Sequence, residues 1–92
     1  MFRKGLFGDV TSDEGYKFKF RDRAMITYED DLRKVFLSAE ALVPPKPWAI
    51  FTDDIRVGSK IGPQLADDRL RKLVLSRLFD VAKFLGYELH VY

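Results

Sequence analysis

The last third of the chain carries the clearest pattern of hydrophobic and polar positions. From Gln64 to Leu85, apolar residues recur at steps of three and four, the spacing that places side chains on one face of a helix. The apolar stripe consists of Leu70, Val74, Leu78, Val81 and Leu85, and the polar face of Arg69, Lys72, Ser76, Asp80 and Lys83. Gly86 follows, where helices often end on a left-handed glycine. The pattern predicts a long amphipathic helix that packs by one face on a core.

Several other segments alternate with the two-residue period of β-strands. Apolar Tyr16, Phe18 and Phe20 alternate with basic Lys17, Lys19 and Arg21, so this strand has one apolar and one basic face. Residues 24–28 and 48–52 also favour strands, and a short extended piece is expected at 55–57. A turn at Asp53 and Asp54 would separate the last two. Residues 87–92 predict a short final strand.

Residues 29–43 fit two predictions. Apolar residues at helical spacing, a capping Thr27, and Pro44 and Pro45 at the end favour a helix. Those apolar residues are Leu32, Val35, Phe36, Ala39, Leu42 and Val43. Alternatively, the acidic residues 29–31 make a hairpin turn that leads into a strand from Arg33 to Ala41. The local pattern favours the helix, and the residues alone leave both possibilities open.

Composition limits the class of protein. Ninety-two residues, of which 47% are hydrophobic, suffice for one core and one domain. We expect residues 1–15, rich in glycine and turn-forming residues, to be a loosely ordered segment, and residues 16–92 to form a single α+β domain. The absence of cysteine excludes disulfides and thiolate chemistry. No apolar run resembles a signal peptide or a membrane span, so a cytoplasmic location is expected.

The charge balance argues against strong binding to nucleic acid. Sixteen basic and fourteen acidic residues give a net charge of +2, a weak source of long-range attraction to phosphates. The candidate contacts are Lys17, Lys19 and Arg21, since basic residues concentrate near the start of the chain. On a strand, however, they lie on the face opposite the neighbouring aromatic rings, so cations and stacking groups are separated. Nucleic-acid binding is therefore the alternative hypothesis.

The sequence contains little that resembles catalytic machinery. Acidic clusters occur at residues 29–31, 53–54 and 67–68, all at predicted turns or helix starts, where carboxylates commonly cap backbone N–H groups. His90 is the only histidine, and one imidazole defines neither a metal site nor a catalytic triad. We therefore expect no enzyme, no metal and no cofactor. Trp48 and Phe79 are the aromatic residues hardest to assign to the core, and exposed aromatics are common anchors of protein interfaces. Burial in the core is nevertheless the favoured interpretation of Trp48, and Phe79 fits either place.

From Arg23 to the end, the order of features resembles a family of small bacterial immunity proteins predicted to neutralise polymorphic toxins. The matching positions are Tyr28-Glu29 with the acidic turn after it, Arg33, Val35-Phe36, Glu40, Leu42, Phe51, Asp53-Asp54-Ile55, Asp67-Asp68-Arg69 and Gly86-Tyr87-Glu88. The resemblance implies strands for residues 33–41. The fold would then be α+β, an antiparallel meander with the long C-terminal helix on one face and a short final strand.

The resemblance also implies a non-enzymatic binding protein that blocks a cognate toxin by protein–protein contact. We expect the contacts at Trp48, Asp53, Asp54 and Arg56, which cluster near one end of the predicted sheet. An inhibitor of this kind needs shape, a few aromatic anchors and complementary charge. An exposed strand edge would also be compatible with a homodimer as well as a monomer.

Overall fold

Eight strands and one helix make up the part of the chain that the computed structural model describes, residues 1–5, 8–20, 24–41, 47–58 and 64–92. The strands are β1 (Phe2–Lys4), β2 (Asp9–Ser12), β3 (Tyr16–Lys19), β4 (Met25–Asp30), β5 (Lys34–Ala41), β6 (Pro47–Val57), β7 (Gln64–Leu65) and β8 (Glu88–Val91). The helix α1 spans Asp68–Leu85. No helix within these ranges is long and apolar enough to cross a membrane.

All eight strands belong to one sheet. From β1 to β7 each strand pairs antiparallel with the next, which makes a meander. The last strand, β8, pairs parallel with β6. Parallel neighbours need a crossover connection, and α1 provides it between β6 and β8. The α+β fold expected from the sequence, with its meander, C-terminal helix and short final strand, is confirmed.

The ends of α1 are set by two residues. Asp67 is the N-cap, and its Oδ1 accepts a hydrogen bond from the Leu70 N–H at 2.8 Å. Gly86 ends the helix in the left-handed region with φ of 75°, a conformation that glycine adopts without steric cost. The helix is shorter at its start than the predicted Gln64–Leu85, because Gln64 and Leu65 pair with the end of β6 as β7.

The core lies between α1 and one face of the sheet, the inner face. The helix contributes Leu70, Val74, Leu78 and Val81, and the sheet contributes Val10, Tyr16, Phe18, Ile26, Tyr28, Val35, Leu37, Ala39, Trp48, Ile50 and Ile55. These side chains are buried, and fully burying an aliphatic or aromatic side chain is worth roughly 1.5–3 kcal/mol. The apolar stripe predicted for the helix therefore contacts the apolar face predicted for the strands.

The segment with two predictions is a strand. Val35, Leu37 and Ala39 are buried in β5, while Phe36 and Ser38 between them are not, which is the two-residue period of a sheet. The helix that the local pattern favoured over residues 29–43 is wrong, and the strand implied by the resemblance is confirmed. Residues 42–46, which include the proposed helix stop, lie outside the described residues.

The hairpin before this strand explains why the strand prevails. The Asp30 Oδ1 accepts hydrogen bonds from the N–H groups of Leu32 and Arg33, each at 2.9 Å. Such an Asx turn offers the backbone an alternative to helix at the point where the helix would begin. Cross-strand burial on the inner face then outweighs the local helical spacing.

The first fifteen residues were expected to be loosely ordered, and the structure places β1 and β2 there. Val10 and Ser12 are buried on the inner face, and Asp9, Val10 and Thr11 of β2 pair with β3. The connecting turn has Gly15 at φ of 91°, and the Ser12 Oγ accepts from the Glu14 N–H at 3.0 Å. The composition indicated turns but hid the strands, because a four-residue strand with one apolar residue has almost no periodic signal.

A polar network ties α1 to the sheet. The Tyr28 hydroxyl donates to Asp30 Oδ2 at 2.6 Å and accepts from Arg77 Nη1 at 2.5 Å. The Arg77 guanidinium also lies over the Tyr16 ring, with Cζ 4.5 Å from the ring centroid. A fully buried tyrosine hydroxyl thus has both a donor and an acceptor, which removes the cost of burying it.

The network shifts the pKa values of both its acidic groups. Burial, together with the hydrogen bond to Asp30, raises the pKa of Tyr28 from 10.0 to about 12. Burial by itself raises the pKa of Asp30, but hydrogen bonds from Tyr28 and from two backbone N–H groups lower it below its ordinary value of 3.8. The folded state therefore requires a neutral Tyr28 beside an ionised Asp30.

Replacing Tyr28 by Phe should lower the free energy of unfolding by about 1–3 kcal/mol, because Asp30 and Arg77 each lose a partly buried hydrogen-bond partner. Urea denaturation at neutral pH measures this loss. The matched control is Tyr92→Phe, at a tyrosine that is 67% exposed, with an expected change within about 0.5 kcal/mol. Equal losses in the two variants would contradict the stabilising role of the network.

Alkaline pH should remove the contribution of Tyr28. Its pKa is raised in the folded state, so the stabilisation is complete below pH 10 and is lost as the pH rises toward about 12. The stability advantage of the natural chain over Tyr28→Phe should accordingly shrink across this interval, as measured by denaturation at stepped pH. The remaining ionisable groups are the same in both proteins, so their contributions cancel in the difference. A constant difference would contradict the assigned pKa.

Candidate partner-binding site

A large bulge in β6 shapes the outer face of the sheet, the face away from α1. Leu37 of β5 pairs with Ile55, whereas Ala39 pairs with Ile50. The four residues 51–54 of β6 therefore lie opposite a single residue of β5. Extra residues of this kind interrupt the ladder, bend the strand and redirect side chains.

This bulge corrects the predicted turn at Asp53 and Asp54, which lie inside β6. Trp48 and Ile50 are buried on the inner face, and so is Ile55, an odd number of residues further along. In a regular strand an odd offset changes the face, so the chain must insert extra residues to bury all three. The odd spacing of the buried residues was the signal in the sequence for a bulge. The acidic pair after an apolar run resembled a turn, and the turn was predicted instead.

The bulge opens a wide, shallow recess of about 630 Å³ on the outer face. It is lined by Ala24, Ser38, Ala39, Phe51, Asp53, Asp54 and Arg56. Three of the four predicted contact residues, Asp53, Asp54 and Arg56, are thus brought together. Ser38, which faces the bulge from β5, was not predicted, because nothing in the local sequence of β5 reveals which residue lies opposite.

Asp54 is held in place from two sides. The Ser38 hydroxyl donates to its Oδ2 at 2.5 Å, and Arg56 Nε donates to its Oδ1 at 2.6 Å. The hydrogen bond from Ser38 and then that from Arg56 lower the pKa of Asp54 below its ordinary value. At neutral pH the recess therefore presents an ordered carboxylate–guanidinium pair, with the exposed carboxylate of Asp53 beside it.

Tyr92, the residue after β8, packs on Phe51, one of the residues that line the recess. The Tyr92 ring stacks on Phe51, with centroids 6.0 Å apart and planes at 27°. The Thr52 Oγ1 donates to the Tyr92 carbonyl oxygen at 2.6 Å, and the Thr52 N–H donates to the same oxygen. Because Tyr92 is largely exposed, this pair adds an accessible aromatic surface next to the charged groups.

Trp48 does not join this surface, which corrects its place among the predicted contacts. Its side chain is 5% exposed and lies on the inner face, where its ring is 5.8 Å from that of Phe20 and 6.4 Å from that of Tyr87. Side chains of a strand alternate between faces, and Trp48 falls in phase with Ile50 and the core. A partner on the outer face cannot reach it.

The predicted basic face is largely offset by acidic neighbours. Lys17 lies directly across from Glu29, and the Lys19 Nζ is 3.6 Å from Glu29 Oε2. Lys19 is also in register with Asp9 on its other side. Arg21, the third predicted residue, lies outside the described residues. Lys17 and Lys19 therefore do not form an uncompensated positive stripe of the kind that phosphates attract.

The remaining candidates for chemistry have structural partners. Asp30 and Asp67 accept backbone hydrogen bonds at a turn and at a helix start, as the capping interpretation predicted. The His90 Nε2 lies 3.7 Å from Glu88 Oε2 on β8. Across the described ranges, no three acidic or histidine residues come close enough to hold a metal ion.

Comparisons with known proteins provide no relative from which to transfer a function. No protein-family model, no curated protein and no solved structure matches the chain. The candidate site therefore depends on the geometry of the chain's own residues.

Replacing Ser38 by Ala should raise the pKa of Asp54 toward the ordinary value of 3.8, because the hydroxyl donates the hydrogen bond that does most to stabilise the charged form. Carboxyl carbon NMR titration measures this pKa directly. The matched control is Ser76→Ala on the exposed side of α1, which should leave the Asp54 titration unchanged. An unaltered pKa in Ser38→Ala would contradict the clamped geometry.

Proposed function

We propose that this chain is a non-enzymatic binding protein that docks another protein on the outer-face recess, with Asp53, Asp54 and Arg56 as charged contacts. The observation that carries the proposal is the ordered Asp54 carboxylate, fixed between Ser38 and Arg56 on a surface that the helix leaves uncovered. Charged groups held in advance lose little conformational entropy on binding, so they favour specific contact.

The chemistry of the recess indicates the kind of surface that fits it. Asp53 and Asp54 carry two negative charges against the single positive charge of Arg56. The complement is a surface with an exposed arginine or lysine, and arginine can bond a carboxylate through two parallel N–H groups. The stacked pair of Phe51 and Tyr92 offers the aromatic contact that commonly accompanies such charges in interfaces.

The more specific part of the proposal is that the partner is a bacterial toxin, which the chain neutralises in the cytoplasm by covering its active surface. Its support is the order of features shared with small immunity proteins, together with the recess. Inhibition by occupation requires a shaped and charged contact surface rather than catalytic groups. Co-expression with the product of the neighbouring reading frame tests this part, since protection from its toxicity is the expected result.

Single substitutions in the recess should weaken partner binding without unfolding the chain. Asp53→Ala and Asp54→Ala should each raise the Kd by about tenfold, the scale of an interface residue that matters. The partner is recovered by pull-down from the native host, and calorimetry with the purified pair gives the Kd. Far-UV circular dichroism checks that each variant remains folded.

Asp80→Ala is the matched control for these variants, because Asp80 is an exposed acidic residue on α1, on the opposite side of the sheet. It removes the same charge and should leave the Kd within about twofold. Equal weakening by Asp80→Ala would indicate a general charge effect. Unchanged affinity in both recess variants would reject the recess as the contact surface.

A further inference from the structure

The last strand, β8, has one side open to a new neighbour. The Tyr92 N–H donates to the Ile50 carbonyl at 2.9 Å, and the Tyr92 carbonyl accepts from Thr52. Backbone groups alternate in direction along a strand, so the N–H and C=O groups of Leu89 and Val91 point away from β6. Within the described ranges, β6 is the only strand that pairs with β8.

The edge strands β1 and β8 differ in how they are protected. At the opposite edge, β1 is three residues long and exposes Arg3 and Lys4, the charged residues with which natural proteins block strand pairing. The four residues of β8 include one charged residue, Glu88 at the first position, but neither lysine nor proline, and Val91 is 43% exposed. Protection against strand pairing is therefore weak at β8.

Exposed apolar side chains occur both on β8 and on the helix. The flank of α1 near β6 is marked by Arg71, whose Nη1 donates to the Thr52 carbonyl at 3.4 Å. Phe79 lies eight residues after Arg71 on α1 and is 47% exposed. Val91 on β8, Tyr92 after it and Phe79 on the helix are thus all exposed.

We propose that β8 is a dimerisation strand, and that its occupant is β8 of a second copy in antiparallel pairing about a two-fold axis at His90. In that register Leu89 of each copy lies opposite Val91 of the other. Both residues direct their free N–H and C=O groups outward, so each pair exchanges two hydrogen bonds and four form in total. The two sheets then continue as one, and the edge is removed from solvent.

The side chains on the outer face are also complementary under this symmetry. Glu88 of one copy lies opposite Tyr92 of the other, and the two His90 rings meet at the axis. Each His90 keeps Glu88 of its own strand nearby, at 3.7 Å between Nε2 and Oε2. No side-chain carboxylate of one copy lies directly opposite a side-chain carboxylate of the other. The edge is therefore complementary to itself, which favours a second copy over an unrelated strand.

Sedimentation of the purified 92-residue chain over a range of concentrations tests the proposal. We expect a reversible species of twice the chain mass, and Val91→Lys should raise its dissociation constant by about tenfold or more, because a charge enters the paired edge of each copy. The matched control is Leu65→Lys on β7, an exposed apolar residue of another short strand, which should leave the dimer intact. A dimer equally weakened by both variants, or unaffected by Val91→Lys, would overturn the assignment to β8.

Amide hydrogen exchange by NMR tests the same pairing without a substitution. The N–H groups of His90 and Tyr92 face β6 and should be protected at every concentration. Those of Leu89 and Val91 should exchange rapidly in dilute samples and become protected as the dimer forms. A chain that stays monomeric at millimolar concentration, or whose Leu89 and Val91 amides gain protection only when a different protein is added, would overturn the proposal.

Discussion

The contact between the apolar stripe of α1 and the inner face of the sheet is the constraint on which the other features of the molecule depend. Four helix residues, Leu70, Val74, Leu78 and Val81, meet inward side chains of β2 to β6. The same helix is the crossover that brings β8 back beside β6 in parallel orientation. Packing of the helix thus decides which face of the sheet is covered, which face is free and where the last edge lies.

A buried polar contact fixes the helix in one position on that face. Hydrophobic stripes tolerate small shifts, because contacts between apolar side chains have no direction. The bonds from Arg77 to Tyr28 and from Tyr28 to Asp30 are directional, and they join the middle of α1 to the hairpin between β4 and β5. The cation over the Tyr16 ring adds a second point of attachment on β3. The helix therefore has one fixed position on the inner face of the sheet. The side chains of the outer face are in turn fixed relative to the helix.

The sequence allowed much of the fold to be predicted, and the failures have physical causes. The helix was recognisable because its stripe is long and its ends carry Asp67 and Gly86, which act locally. The strand from 34 to 41 was ambiguous, because its apolar residues fit both periods and only pairing with β4 and β6 decides between them. The strands near the start are too short to show a period. In each failure the deciding interaction is non-local.

In the candidate site, too, the local features could be predicted and the non-local ones could not. Asp53, Asp54 and Arg56 were identified from the sequence as neighbours, but Ser38 enters the site from another strand, sixteen residues away. Trp48 is predicted at the same end of the sheet, but strand alternation directs its side chain to the core. Predicting the site correctly also required the length of the bulge. It follows from the odd spacing between Ile50 and Ile55, once both are known to be buried.

The bulge lies in β6 and the open edge in its neighbour β8, so the two proposed surfaces are adjacent. β6 carries the recess in its second half and supports β8 along its first half, and the stacking of Tyr92 on Phe51 joins them. Antiparallel pairing of β8 with a second copy extends the sheet without turning it over, since the two-fold axis runs perpendicular to the sheet. Both recesses would then open on the same side of a continuous surface. Two equivalent sites on one side permit a two-fold symmetric partner to engage both at once, so that the second contact forms at a high effective concentration.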